Sequence, residues 1–114
     1  METSYDYAED LDVLHIFTSE IRDGIKGGLG YGNFNIDIGT DGQIVGIELE
    51  GASHILKLNP EILTNLDNVM IIERETDGLI FAGVRVAKGE KSSMVQVNIP
   101  REDMDQFGVL KATN

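Results

Sequence analysis

The sequence contains no cysteine, no tryptophan and only two prolines. Without cysteine there is no disulfide framework, no Cys-based zinc site and no thiol nucleophile. Basic residues are scarce: Lys and Arg total 9 against 20 Asp and Glu, a formal net charge of −11. Phosphate contacts need a basic face, so this balance argues against nucleic-acid binding. No apolar run approaches the ~18–20 residues that span a bilayer, and no membrane association is expected. The opening residues METSYDYAEDLD are acidic and lack a basic n-region and an apolar h-region, so no signal peptide is expected. Together these absences point to a cytoplasmic protein.

What is present is a chain of 114 residues, 41% of them hydrophobic, the length of one domain with a core of its own. Charge is uneven along it. Residues 1–56 hold 11 acids and 2 bases, whereas residues 57–114 hold 9 acids and 7 bases. The first half would repel polyanions and attract cations or a basic protein. The plainer role of such charge is solubility.

Local patterns predict a mainly β chain. Residues 1–10 read as a loose N-terminus. Asp12–Thr18 is rich in β-branched and aromatic residues and reads as a strand. Ser19–Gly32 reads as a loop because of its glycine density. In Asn33–Ile38 the apolar Phe34, Ile36 and Ile38 alternate with Asn33, Asn35 and Asp37, the period of a half-buried strand. Asp41-Gly42 follows, a strong hairpin signal. A two-residue loop there pairs Ile38 with Val45, Ile36 with Ile47 and Phe34 with Leu49 on one face. It sets Asn35 against Glu48 and Asn33 against Glu50 on the other.

Gly51-Ala52-Ser53-His54 reads as a strand exit. Asn59 and Pro60 read as the N-cap and first residue of a short helix, Pro60–Leu66. Asn68–Glu75 and Leu79–Ala87 are two further strands around Thr76-Asp77-Gly78. A three-residue loop there groups Met70 and Ile72 with Ile80, Ala82, Val84 and Val86, leaving Val69, Ile71, Leu79 and Phe81 on the opposite face. A strand pair apolar on both faces is central, helix-covered or part of a subunit interface. Met94–Ile99 is a last strand, ended by Pro100. Residues 101–107 suit a helical turn, and 108–114 read as a frayed tail. The stretch Thr40–Ile47 echoes Thr76–Val84 with one residue inserted, although Asp-Gly turns between apolar strands resemble one another in many proteins.

Tyr7, Asp12-Val13-Leu14-His15-Ile16, Asp41-Gly42, Val45-Gly46-Ile47-Glu48 and Ala52-Ser53 form a set with its own spacing. On these residues the stretch from Tyr7 to Leu56 resembles a small prokaryotic family, the domain of unknown function family 2283. Ala8 stands where that pattern has Asp, and His15 where it has Tyr. The resemblance implies a small β-rich fold, carries no established activity, and covers roughly the first half of the chain.

Five features bear on chemistry. The run Gly24-Ile25-Lys26-Gly27-Gly28-Leu29-Gly30-Tyr31-Gly32 suggests a phosphate loop, but a strand follows where such a loop needs a helix N-terminus. The two histidines, His15 and His54, with Asp12, are candidate ligands for a divalent cation, although no H-x-x-x-H spacing occurs. The acidic cluster Asp6, Glu9, Asp10 and Asp12 lacks the spacing of a calcium loop. Asp37 and Glu48, on the polar hairpin face, are candidate paired carboxylates for acid–base work, which requires burial to separate their pKa values. Ser53 lacks a nucleophile-elbow context.

The expectation is therefore an α+β, mainly β single domain of about six strands with one short helix, in the order β-β-β-α-β-β-β. The leading functional expectation is a non-enzymatic, homo-oligomeric binding or assembly module without a cofactor, with Ile71 and Phe81 at the interface. An acidic partner for a basic protein is one alternative. A metal- or small-ligand-dependent enzyme using carboxylates and histidine is the other.

Overall fold

The strict alternation of Phe34, Ile36 and Ile38 seeds the first of two antiparallel sheets in the computed structural model, which describes residues 2–107. That sheet comprises β1 (Thr3–Ala8), β2 (Val13–Thr18), β3 (Ile25–Tyr31), β4 (Phe34–Gly39) and β5 (Ile44–Glu50). Its spatial order is β1-β2-β5-β4-β3, so β2 lies beside β5 rather than beside its chain neighbour β3. Two short helices follow, α1 (Ala52–Leu56) and α2 (Pro60–Leu63). The second sheet is a meander of β6 (Asn68–Glu75), β7 (Leu79–Lys88) and β8 (Lys91–Pro100), and α3 (Arg101–Asp105) follows it.

The mainly β expectation holds, with eight strands among the described residues where about six were expected. The N-terminal segment expected to be loose is β1 from Thr3 onward. Its acids obscured an alternation in which Tyr5 and Tyr7 face the core while Ser4 and Asp6 face out. The expected glycine-rich loop is a 3-10 turn (Ser19–Asp23) followed by edge strand β3, whose backbone pairs with β4 despite its low strand propensity. The expected strand exit at Ala52–His54 is α1, and α2 ends at Leu63 rather than Leu66. Asn59 caps α2, its side-chain oxygen accepting from the Glu61 amide at 3.0 Å. The tail expected to fray at 108–114 lies outside the described residues.

One core joins the two sheets. Leu14, Ile16, Ile36, Ile47 and Leu49 from the first meet Ile80, Ala82, Val84, Val86 and Ile99 from the second, with Leu56, Leu63 and Met104 from the helices. Both sheets therefore turn one face inward and one face away from the common core.

The two Asp-Gly hairpins differ from their expected turns. At Asp41-Gly42 the loop has three residues: the Gly39 amide donates to the Gln43 carbonyl at 2.8 Å, and Gly42 sits at φ +83°. That is a turn followed by a left-handed glycine. Ile38 then pairs with Ile44 rather than Val45, and Val45 is the extra residue of a bulge. Beyond the bulge the expected pairs return: Asp37–Gly46, Ile36–Ile47, Asn35–Glu48 and Phe34–Leu49. At Asp77-Gly78 the loop has two residues, closed by the Thr76 amide on the Leu79 carbonyl at 2.9 Å. Here Glu75 pairs with Ile80, Ile71 with Val84 and Val69 with Val86. The expected grouping of β6 is thus inverted: Val69 and Ile71 face the core, and Met70 and Ile72 face out.

Candidate functional site

The outer face of the five-stranded sheet gathers the polar residues singled out in the sequence. Strand pairing places Asp6, His15, Glu48, Asn35 and Gly30 in one row across β1-β2-β5-β4-β3. The next row is Ser4, Phe17, Gly46, Asp37 and Gly28. His15 and Asp37 stand on strands that flank β5, and they meet over Gly46, with Nε2 and Oδ2 3.1 Å apart. A Cβ on Gly46 would lie 2.6 Å from Asp37 Oδ2 and 3.1 Å from His15 Nε2, so only glycine leaves room for the pair. The hydrogen bond to Asp37 raises the His15 pKa above its ordinary value. Partial burial opposes the rise, while the charges of Asp37, Glu48 and Asp6 add to it. The Phe17 ring flanks the imidazole, centroids 5.0 Å apart. Asp37 is thus hydrogen-bonded to His15, while Glu48 stands in the adjacent row opposite Asn35.

The other proposed metal ligands lie elsewhere. Asp12, at φ +53°, forms the corner between β1 and β2. Its carboxylate accepts from Tyr7 Oη at 2.6 Å, from the Ser53 amide at 3.0 Å and from Ser53 Oγ at 2.8 Å. Its carbonyl accepts from the Ala52 amide at 3.0 Å. The N-cap position of α1 is Gly51, which has no side chain to cap the helix, so Asp12 satisfies those amides from across the chain. Desolvation pushes the Asp12 pKa up, but the hydrogen bonds from Tyr7 and Ser53 and the nearby His54 outweigh it and hold the carboxyl below its usual value. Tyr7 is raised in turn, by desolvation and by donating to Asp12. His54 is exposed on α1. Asp12, His15 and His54 do not converge, and among the described residues no three His, Asp or Glu side chains group to hold a metal ion.

The second outward face belongs to the three-stranded sheet. Pairing sets Met70, Arg85 and Met94 in one row, Ile72, Gly83 and Gln96 in the next, and Arg74, Phe81 and Asn98 in a third. Met70 is 45% exposed and Met94 53% exposed. The Arg74 guanidinium lies 5.6 Å from the Phe81 ring centroid. A recess of about 210 Å³ opens beside Met70 and Arg85, lined also by Asn68, Val86 and Ala87. From Asn68 to Thr76, Leu79 to Ala87 and Ser92 to Pro100, alternate residues on this face include two arginines and no carboxylate. Phe81 lies on this outward face, whereas Ile71, expected beside it, packs against the core.

Sequence reasoning missed two arrangements. The His15–Asp37 pair depends on β2 lying beside β5, which chain order does not announce. The absence of acid from one sheet face depends on the parity of β6, whose run Val69-Met70-Ile71-Ile72 shows no alternation. No helix is long and apolar enough to cross a membrane among the described residues. No family model matches the chain, and no curated protein or solved structure is significantly similar to it.

Proposed function

We propose that this protein is a cytoplasmic, non-enzymatic assembly module that forms a homo-oligomer through the outer face of β6-β7-β8. The observation that carries the reading is that face itself, where exposed Met70 and Met94 stand with Phe81 and Ile72 around two arginines. Sheet faces of this composition lose apolar area to water unless a partner covers them. Membership in the domain of unknown function family 2283 belongs to the same proposal. It is supported by the meeting of Tyr7, Asp12 and Ser53, three residues of the resemblance, at one hydrogen-bonded corner.

Native mass spectrometry of untagged protein tests the assembly. An oligomer is expected for the wild type and a folded monomer for Phe81→Lys. A wild type that stays monomeric at high concentration overturns the reading. A bound metal or metabolite at stoichiometric mass would turn attention instead to His15 and Asp37.

A further inference from the structure

Resting on that reading, we propose that assembly is head-to-tail: the arginine-bearing outer face of β6-β7-β8 docks on the acidic outer face of the five-stranded sheet of a second copy. The argument is charge complementarity. The first face holds Arg74 and Arg85 without a carboxylate, and among the described residues neither arginine is in a salt bridge. Placed against its own copy, this face would bring four guanidiniums together with no counter-charge. Like charges facing one another across an interface disfavour that pairing. The opposite face carries Asp6, Glu48 and Glu50 with Asp37.

Because both faces look away from one core, a molecule cannot satisfy one with the other. A second copy can. The recess beside Arg85 and Met70 gives that copy a place to seat a side chain. The basic partner expected from the acidic first half is, on this proposal, the second half of another copy. Such a contact uses a different surface on each side, so it repeats, closing into a ring or extending as a filament.

The test uses two double variants of the full chain at low salt, followed by sedimentation and native mass spectrometry. Arg74→Glu with Arg85→Glu reverses the basic face. Asp6→Lys with Glu48→Lys reverses the acidic face and leaves Asp37 to His15. Each alone is expected to weaken association by roughly tenfold or more, and mixing the two restores it. Wild-type association is expected to weaken with salt, as screened surface charges require. If the wild type assembles and only the arginine variant dissociates, or mixing restores nothing, the head-to-tail pairing is overturned while the assembly reading stands. If the wild type is a monomer, both fall. Circular dichroism confirms that each variant is folded. Should a double reversal unfold, Arg85→Gln and Glu48→Gln carry the same comparison, each expected to weaken association, and no effect from Glu48→Gln overturns the pairing.

Discussion

Each sheet is organised by a hairpin that turns at Asp-Gly, and the two hairpins handle register in opposite ways. Around Asp41-Gly42 the turn adds a residue, and the bulge at Val45 takes it up within one step, so every pair from Asp37–Gly46 outward keeps its face. Around Asp77-Gly78 there is no bulge. The turn alone sets register, and a shift of one residue exchanges the core-facing and outward sets of β6. The comparison extends to the central strands, where Gly46 of β5 and Gly83 of β7 occupy matching places in the sequence echo. Over Gly46 two side chains meet. At Gly83 the backbone of β8 closes in, and a Cβ would run into the Val95 carbonyl oxygen.

The largest expected effect tests parity. Ile71→Lys places a charge against the core from the half-buried side of β6 and is expected to cost about 3 kcal/mol, because an unpaired charge packed on apolar side chains is poorly tolerated. Met70→Lys, one residue away, should leave urea unfolding of the dilute, dissociated protein within about 0.5 kcal/mol of wild type, as surface substitutions do. Equal effects would refute the register described for the second hairpin.

Gly83→Ala comes next, at about 2 kcal/mol of overpacking, since backbone rather than a flexible side chain must yield. Asp12→Asn should cost about 1 kcal/mol by weakening charge-assisted hydrogen bonds to α1. It should also change the acid limb of stability. The folded Asp12 carboxyl is held below its ordinary pKa, so its contribution is present above the unfolded value and disappears as pH falls through the folded one. In Asp12→Asn that part of the acid-induced loss should vanish from a pH series of melts.

A smaller stability effect is expected from Gly46→Ala, below about 1 kcal/mol, because the ends of His15 and Asp37 can swing aside. Its consequence is electrostatic. Separating the pair should lower the His15 titration midpoint measured by NMR. Because the folded His15 pKa is raised, the stabilisation it provides is fully present below the unfolded histidine value and is lost as pH rises through the folded one. Gly46→Ala should flatten that window. An unchanged midpoint would mean that Asp37 is not what raises it.

The parts of the fold that sequence made legible are those where composition fixes parity. Phe34, Ile36 and Ile38 alternate with polar residues, and on the return strand Ile47 and Leu49 alternate with Glu48 and Glu50, so their pairing survived an incorrect turn. Val69 through Ile72 are all apolar, so their orientation is set by the loop length alone. Thr3–Ala8 and Ile25–Tyr31 were obscured for different reasons, one by acids on its outer face and the other by glycines. Asp37 was legible as a polar-face residue and Asp12 as a motif residue. Their partners His15 and Ser53 came from elements whose adjacency arises only from tertiary packing.

The glycine-rich β3 has one further consequence, for the order in which the chain folds. It pairs with β4 along one side, and the far end of the described chain completes its hold. The Phe107 ring occupies the space above Gly27, Lys26 Nζ donates to the Phe107 carbonyl at 2.6 Å, and Tyr31 donates its hydroxyl to Asp103. Desolvation and that carboxylate push the Tyr31 phenol up to about 12. These contacts span 72 and 81 positions of sequence, whereas the hairpins close locally. Loop-closure entropy defers such distant contacts until the segment between them has condensed. The contacts of Lys26, Gly27 and Tyr31 with Asp103 and Phe107 should therefore be among the last to form during refolding, after β3 has paired with β4 in its local hairpin, even though β3 is encoded in the first third of the chain.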